Sequence, residues 1–336
     1  MNNVNFARSV LILIVVLGHS IIFWAGNWIF DDIKIEAPLL GQISGWFGTF
    51  HTQALTVISG FTYEFVVESR GGYLFPELVK KKLKRLLIPF VLISIFWVLP
   101  LTSFVIEIDA NYILNKFVLG KSPAQLWYLL MLFDVFVLFY PIRYLLSKSG
   151  VFYIIFPILY FAADFFGDTS NNYFQFITSL RYLSFFALGH VIFRYRKVLF
   201  SNGPLSLRKP VVLIMLVIIH IIAYITYLLD IPRTKTLLML FLNFGGALTA
   251  AVVLLHIGEK VNPNNKLMSI LNNNSFGVYL LHQQLIYYTL FTLNGLINPY
   301  LHAVINFAVS LSLSLIISVA FHRSRILRVY FLGEKK

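Results

Sequence analysis

The sequence predicts an all-α integral membrane protein: a single domain, residues 1–336, built as a bundle of about ten transmembrane helices with both termini in the cytoplasm. Three observations carry this reading. First, 58% of the 336 residues are hydrophobic and 12% are charged. That charged share is about half of what a soluble domain carries, and a water-soluble fold of this size cannot hide so much apolar surface. Second, the apolar residues gather into long runs, each near the roughly 20 residues a helix needs to cross a hydrocarbon core. The runs are too continuous for the weak alternation of outer-membrane strands. Third, the basic residues fall mostly on one side of those runs. The composition excludes a soluble enzyme, a nucleic-acid-binding domain and a disordered chain. With no cysteine, disulfides, thiolate nucleophiles and cysteine metal sites are excluded too.

Ten spans are expected, at about 7–25, 43–67, 86–107, 126–146, 150–166, 176–194, 211–229, 236–257, 275–297 and 299–320. The first follows Arg8 and carries His19. No small-residue cleavage site follows it convincingly, so it reads as an uncleaved helix and not a signal peptide. The second holds His51, Ser59-Gly60 and Glu64, and Ser59-Gly60 is a candidate close helix contact, as is Gly245-Gly246 of the eighth. The loop 26–42 carries Asp31, Asp32, Lys34 and Glu36, and the semi-apolar loop 108–125 suits a segment lying on the membrane surface. Gly203-Pro204 and Lys209-Pro210 mark turns in the loop 195–210. The Asn-rich run 262–274, with Pro263, reads as a loop, with Asn274 or Ser275 capping the ninth helix.

With the N-terminus inside, 21 of the 27 lysines and arginines fall on the cytoplasmic side, among them Arg8, the run Lys80–Arg85, Arg194–Lys197, Arg208 and Arg323–Arg328. Lys34, Lys116, Lys121, Arg181, Arg233 and Lys235 fall outside. The bias sets the orientation. The net charge of +13 is therefore an insertion signal, which anionic lipid also favours.

Ionisable groups at membrane depth are expensive and usually face a cavity or a partner. They are Arg8, His19, His51, Glu64, Asp134, Asp164, Arg181, His190, His220, His256 and His282. Arg8 and His19 are eleven residues apart, three helical turns plus about 20°, so they share a face about 16 Å apart along the axis. His51, eight residues into the second span, would lie about 12 Å deep and His19 about 9 Å, both from the outer end. An imidazole takes a proton near neutral pH, and an arginine holds a phosphate or a carbonyl oxygen. The plainer alternative is that Arg8 anchors the helix end and His19 pairs with a neighbouring helix. Asp134 can orient a histidine or pair with Arg181. His220 and His256 read as packing residues and His322 as a surface residue. Gly-rich phosphate loops, H-E-x-x-H pairs and nucleophile elbows are absent, and no spacing suits a metal.

Several strings resemble the acyltransferase 3 family of membrane O-acyltransferases. Asn5-Phe6-Ala7-Arg8, followed by Leu13 to His19, resembles the family's opening helix, in which an arginine is followed after ten residues by a histidine. Phe50-His51 leading to Ile58-Ser59-Gly60-Phe61 is similar to its second-helix motif. Lys81 to Phe90 resembles the basic stretch entering the third helix, and Leu126-Trp127-Tyr128-Leu129 resembles the Leu-Trp-Phe-Leu string of the fourth. Phe185 to Gly189 and Ser275 to His282 match later strings. Two positions depart: Asn5 stands where the family has an aspartate, and Thr52-Gln53-Ala54-Leu55 lacks the expected proline. No appended SGNH-type hydrolase domain is seen. The variant with His51 and the Tyr-Leu-Leu-His-Gln string is most similar to the branch that acetylates fucose and other polysaccharide sugars.

The resemblance implies transfer of an acetyl group from acetyl-CoA to a hydroxyl of a polysaccharide or lipid-linked glycan, in a cell membrane, with no metal and no nucleic-acid partner. It points to His19 as the base. His51, Trp127 or Tyr128 would stabilise the oxyanion, and Arg8, Lys82 and Arg85 would hold the coenzyme phosphates. Asp134 and His282 would support the site. The competing class is a multi-span transporter or flippase of a lipid-linked sugar or small solute, for which broken helices and inverted halves would speak.

Overall fold

A computed structural model of the chain describes residues 2–26, 28, 32–165, 171–201, 206–207, 209–229, 235–262 and 265–334, apart from the side chains of Asn2 and Asp164. Expectations for Asp31, Asp164, Gly203-Pro204, Arg208, Arg233 and Pro263 lie outside the described residues. The described residues are mostly helical, with no strand among them. The helices are α1 (Asn2–Ile21), α2 (Pro38–Gly48), α3 (His51–Arg70), α4 (Phe75–Lys82), α5 (Ile88–Ile93), α6 (Leu99–Thr102), α7 (Ala110–Ile113), α8 (Trp127–Lys148), α9 (Ile155–Phe165), α10 (Phe176–Arg194), α11 (Arg196–Leu199), α12 (Pro210–Leu228), α13 (Lys235–Lys260), α14 (Lys266–Leu293), α15 (Pro299–Arg323) and α16 (Arg325–Tyr330). α4 to α6 form one continuous helix, Phe75–Thr102, through two π-turns, Leu83–Leu87 and Ser94–Val98.

Local chemistry explains several ends. Asp109 accepts from the Tyr112 amide at 2.6 Å and starts α7. Asn298 caps α15, with Pro299 in its first turn. Gly71, at φ 74°, ends α3 in the left-handed region that glycine reaches without strain. Outside the long helices, half-buried Lys116 lies 4.9 Å from the Tyr112 ring; burial pushes the lysine's pKa down and the tyrosine's up.

Each of the ten expected stretches contains helix, and among the described residues seven helices are long and apolar enough to cross a membrane. These are Asn3–Ala25, Phe75–Thr102, Ala124–Lys148, Tyr173–Arg194, Pro210–Leu228, Lys235–Lys260 and Pro299–Arg323. The other three differ for physical reasons. α3 and α14 have 20 and 28 residues but carry more polar side chains, including Glu64 in one and Asn272–Ser275 in the other. α9 has only 11 residues.

Two expectations need correction. The continuous helix over 43–67 is broken at Thr49-Phe50. There the Thr49 and Phe50 amides donate to the Trp46 and Phe47 carbonyls, both at 3.1 Å, three residues back instead of four; the Thr49 hydroxyl also donates to the Trp46 carbonyl at 2.7 Å, and Phe50 sits at φ −140°. His51 is therefore the first residue of α3, not eight residues inside a span. The Asn-rich run is not a loop up to 274. Asn265 caps α14 by accepting from the Met268 amide at 3.1 Å, and Asn272–Ser275 lie inside the helix. There Asn274 donates to the Ile270 carbonyl, and Asn272 accepts from the Ser9 hydroxyl at 2.7 Å.

The chain forms two compact units. The first comprises Met1–Ala25, Pro38–Gly72 and Phe185–Ser275. In it α1 packs on α2, α3 and α13, and α12 packs on α13. α3 crosses the end of α10 at a pair of glycines: a side chain at Gly60 would collide with the Phe186 carbonyl, and one at Gly189 with the Val57 carbonyl. Such small-residue contacts bring helix backbones together in lipid. One turn on, buried Glu64 Oε1 lies 3.0 Å from buried His190 Nδ1. Gly246 leaves room for His220 and Phe50, whereas Gly245 meets only Phe241 of its own helix.

The second unit comprises Gly26–Ala37, Tyr73–Ser184 and Phe276–Lys336. α8 packs on α4 and on the Leu83–Leu87 turn. On α15, His302, Asn306, Ser310, Ser314 and Ser318 recur every four residues and are all buried, one stripe of a helix face. A side chain at Gly277 of α14 would collide with the Ser318 hydroxyl, so the two helices meet closely there.

Candidate active site

The C-terminal end of α1 meets α2 at Gly18. The Phe47 side chain lies 3.7 Å from where a Cβ on Gly18 would stand, and the Ser44 hydroxyl donates to the Gly18 carbonyl at 3.3 Å. The next residue is His19. The Phe47 carbonyl in turn accepts a hydrogen bond from His51 Nδ1 at 2.5 Å. Phe47 thus touches the residue before His19 and fixes the ring of His51. His19 and His51 both belong to the first unit.

A carbonyl accepts only, so His51 Nδ1 carries the proton. In the neutral ring, Nε2 is then a lone-pair acceptor. It makes no hydrogen bond to a described residue, and the side chain is half-buried. This tautomer suits a proton acceptor. It does not suit the oxyanion-donor role expected of His51, which needs a proton on the free nitrogen. His19 and Arg8 are half-buried and both interact with neighbouring groups. α1 is unbroken between them, so they share one face about 16 Å apart.

A polar network continues behind His51. The Gln53 amide lies 3.4 Å from Asn243 Oδ1 and 3.3 Å from the Gly48 carbonyl. Thr49 Oγ1 lies 3.5 Å from His220 Nε2. His220 also packs among Trp46 and Phe50, in keeping with its reading as a packing residue. His256 is buried, with neither ring nitrogen bonded to a described residue.

The remaining expected residues lie in the second unit. Lys82 sits over the Phe136 ring, 3.1 Å from its centroid. Arg85 donates to the Leu332 carbonyl and stacks on Phe276 at 4.3 Å. Both tie helices and the C-terminal segment together, while Lys80, Lys81 and Lys84 are exposed. Trp127 packs edge-on against Tyr128 and Tyr182. Its half-buried indole N–H meets no described acceptor. Tyr128 is buried beside Tyr279, ring centroids 6.0 Å apart. His282 is fully buried and donates from Nδ1 to the Tyr279 carbonyl at 2.8 Å. Asp134 does not pair with Arg181. Its carboxyl lies 3.3 Å from the Ser179 hydroxyl, and Arg181 lies over the Tyr160 ring.

Some buried polar residues were missed by sequence reasoning. Gln125 and Gln284 exchange two amide hydrogen bonds, at 2.8 and 3.2 Å, and Gln125 also donates to the Leu280 carbonyl at 2.7 Å. No local pattern marks this pair. His302, whose Nε2 bonds the Thr289 carbonyl at 3.1 Å, was legible as the first member of the four-residue polar repeat on α15. The Glu64–His190 contact joins two residues singled out separately. Among the described residues, no group of three or more His, Asp or Glu side chains is placed to hold a metal ion.

No curated protein and no solved structure matches the chain. Residues 1–323 match the acyltransferase domain that defines the acyltransferase 3 family, nearly the whole chain. With that match and its apolar helices, this chain belongs to that family of membrane acyltransferases.

Proposed function

We propose that the protein moves an acetyl group from acetyl-CoA to a hydroxyl of a cell-surface or exported polysaccharide sugar, in the plasma membrane, with its basic helix ends in the cytoplasm. The observation that best supports this is the fixed ring of His51 beside the Gly18-His19 segment. An imidazole whose Nε2 stays open, on the segment packed against the residue before His19, supports a proton-accepting role for the two histidines. His19 takes the proton from the sugar hydroxyl as its oxygen attacks the thioester carbonyl carbon. The tetrahedral intermediate collapses and breaks the carbon–sulfur bond. The histidinium returns the proton to the leaving thiolate, so an ester and free coenzyme A result. Arg8, three turns away on the same face, holds a phosphate or carbonyl of the donor. His51 holds or relays the proton through Nε2.

The test uses membranes containing the protein, coenzyme A labelled in its acetyl group, and glycan from the native host. Label entering alkali-labile ester on glycan, dependent on the protein, supports the reading. Labelled donor left untouched while glycan or a lipid-linked sugar crosses the membrane would overturn it in favour of transport.

A further inference from the structure

The second unit contains a cavity of about 1030 Å³, at the top of the usual range for ligand sites, roughly 300–1,000 Å³. Its wall is almost wholly apolar, and its polar groups include the carboxyl of Asp134. The walls come from the helix Phe75–Thr102, from α8, from the segment after α7, and from residues 171–177. Phe117 and Leu130 are buried on its inner side, whereas Ile95 and Val118 are about half exposed at its edge. The cavity opens among apolar side chains of helices that are long and apolar enough to cross the bilayer.

Two further features meet at this cavity. Three π-turns, Leu83–Leu87, Ser94–Val98 and Leu114–Val118, each supply wall residues. A π-turn displaces a helix from regular packing and often marks a functional site. Phe174, also in the wall, has a φ of 51°, an unfavourable backbone state for an aromatic residue. It is held there by its own amide on the Leu119 carbonyl and by the buried Gln175 amide, which bonds the Gly120 and Lys121 carbonyls at 2.8 and 2.6 Å. The backbone distortions of this unit thus concentrate around one apolar space instead of closing it.

The geometry points to a binding site for the aliphatic chain of a bilayer lipid, entering past Ile95 and Val118 and running inward along Phe117 and Leu130. Asp134 accepts a hydrogen bond from a hydroxyl or similar donor on that lipid. Its only partner among the described residues is the Ser179 hydroxyl, which lies closer to the Gln175 carbonyl, at 2.8 Å. The inference does not rest on the transfer chemistry above.

The test reconstitutes the full chain in nanodiscs with a phospholipid carrying a diazirine midway along one acyl chain; a polyisoprenol with the same group forms a second arm. After illumination, labelled peptides are mapped. Ile95→Trp and Val118→Trp fill the cavity mouth, and Ile218→Trp, on an exposed face of α12, is the control. Label concentrated on residues 87–99, 113–118 and 171–177 is expected, saturating with probe, competed by unlabelled lipid and falling several-fold in the two filling variants but not in the control. The arm that labels at lower concentration identifies the chain type. Label spread evenly over all exposed helices, or unchanged in filling variants whose yield and size-exclusion profile match the native protein, overturns the proposal.

Discussion

Phe47 decides how His51 works. Its carbonyl accepts a hydrogen bond from Nδ1–H, with 2.5 Å between nitrogen and oxygen, and leaves Nε2 as the lone-pair nitrogen. His51→Asn keeps an amide N–H near that carbonyl and removes Nε2. It should leave the protein folded and lower transfer about 10²-fold or more, within the range for a lost proton acceptor. Initial-rate assays at matched membrane levels check this, and near-native rates would reduce His51 to a packing residue. Glu64 makes a second residue-level case. Glu64→Ala removes the carboxylate 3.0 Å from the buried His190 Nδ1 and should destabilise the protein by about 1–3 kcal/mol. Glu64→Gln, which can still accept, should do less harm. Thermal unfolding in one detergent ranks the two. The sequence displayed Glu64 and His190 as costly residues; their meeting depends on how α3 crosses α10, which no local pattern encodes.

The crossing of α3 and α10 turns on Gly60 and Gly189, each facing the other helix's carbonyls. Gly60→Leu must separate the helices and should cost at least about 1–3 kcal/mol, the range for overpacking, seen as a lower melting temperature. Gln125→Ala should cost a similar amount, about 1–3 kcal/mol, because it strands the Gln284 amide in a buried place. Unchanged melting in either variant would show that the contact carries no weight. Helices were the legible layer, since hydrophobic run length reveals them directly. Their interruptions were not. At Thr49-Phe50 an apolar run tightens to i→i−3 backbone bonds and Phe50 leaves helical geometry, with no proline to announce it. The asparagines of α14 look like loop, yet Ser9 and the Ile270 carbonyl satisfy them inside a helix, and such partners outweigh intrinsic propensity.

Over the whole chain, composition and run length gave the class of protein, and short ordered strings pointed to the acyltransferase family that residues 1–323 match. The site was legible in part. Arg8, His19 and His51 fall in one unit, and Arg8 and His19 share a face of one unbroken helix, as their spacing predicts. Lys82 and Arg85, expected from the family resemblance to hold the coenzyme phosphates, lie against Phe136, Phe276 and the Leu332 carbonyl. A basic run shows where charge lies along the chain, not what each side chain touches. The most direct measurement compares intact protein with His19→Ala in membranes at equal protein levels, following labelled acetyl from coenzyme A into host glycan. The account predicts transfer by the intact protein and a loss of about 10²-fold or more in the variant. Equal transfer by both would contradict it, since the proton would then be taken elsewhere.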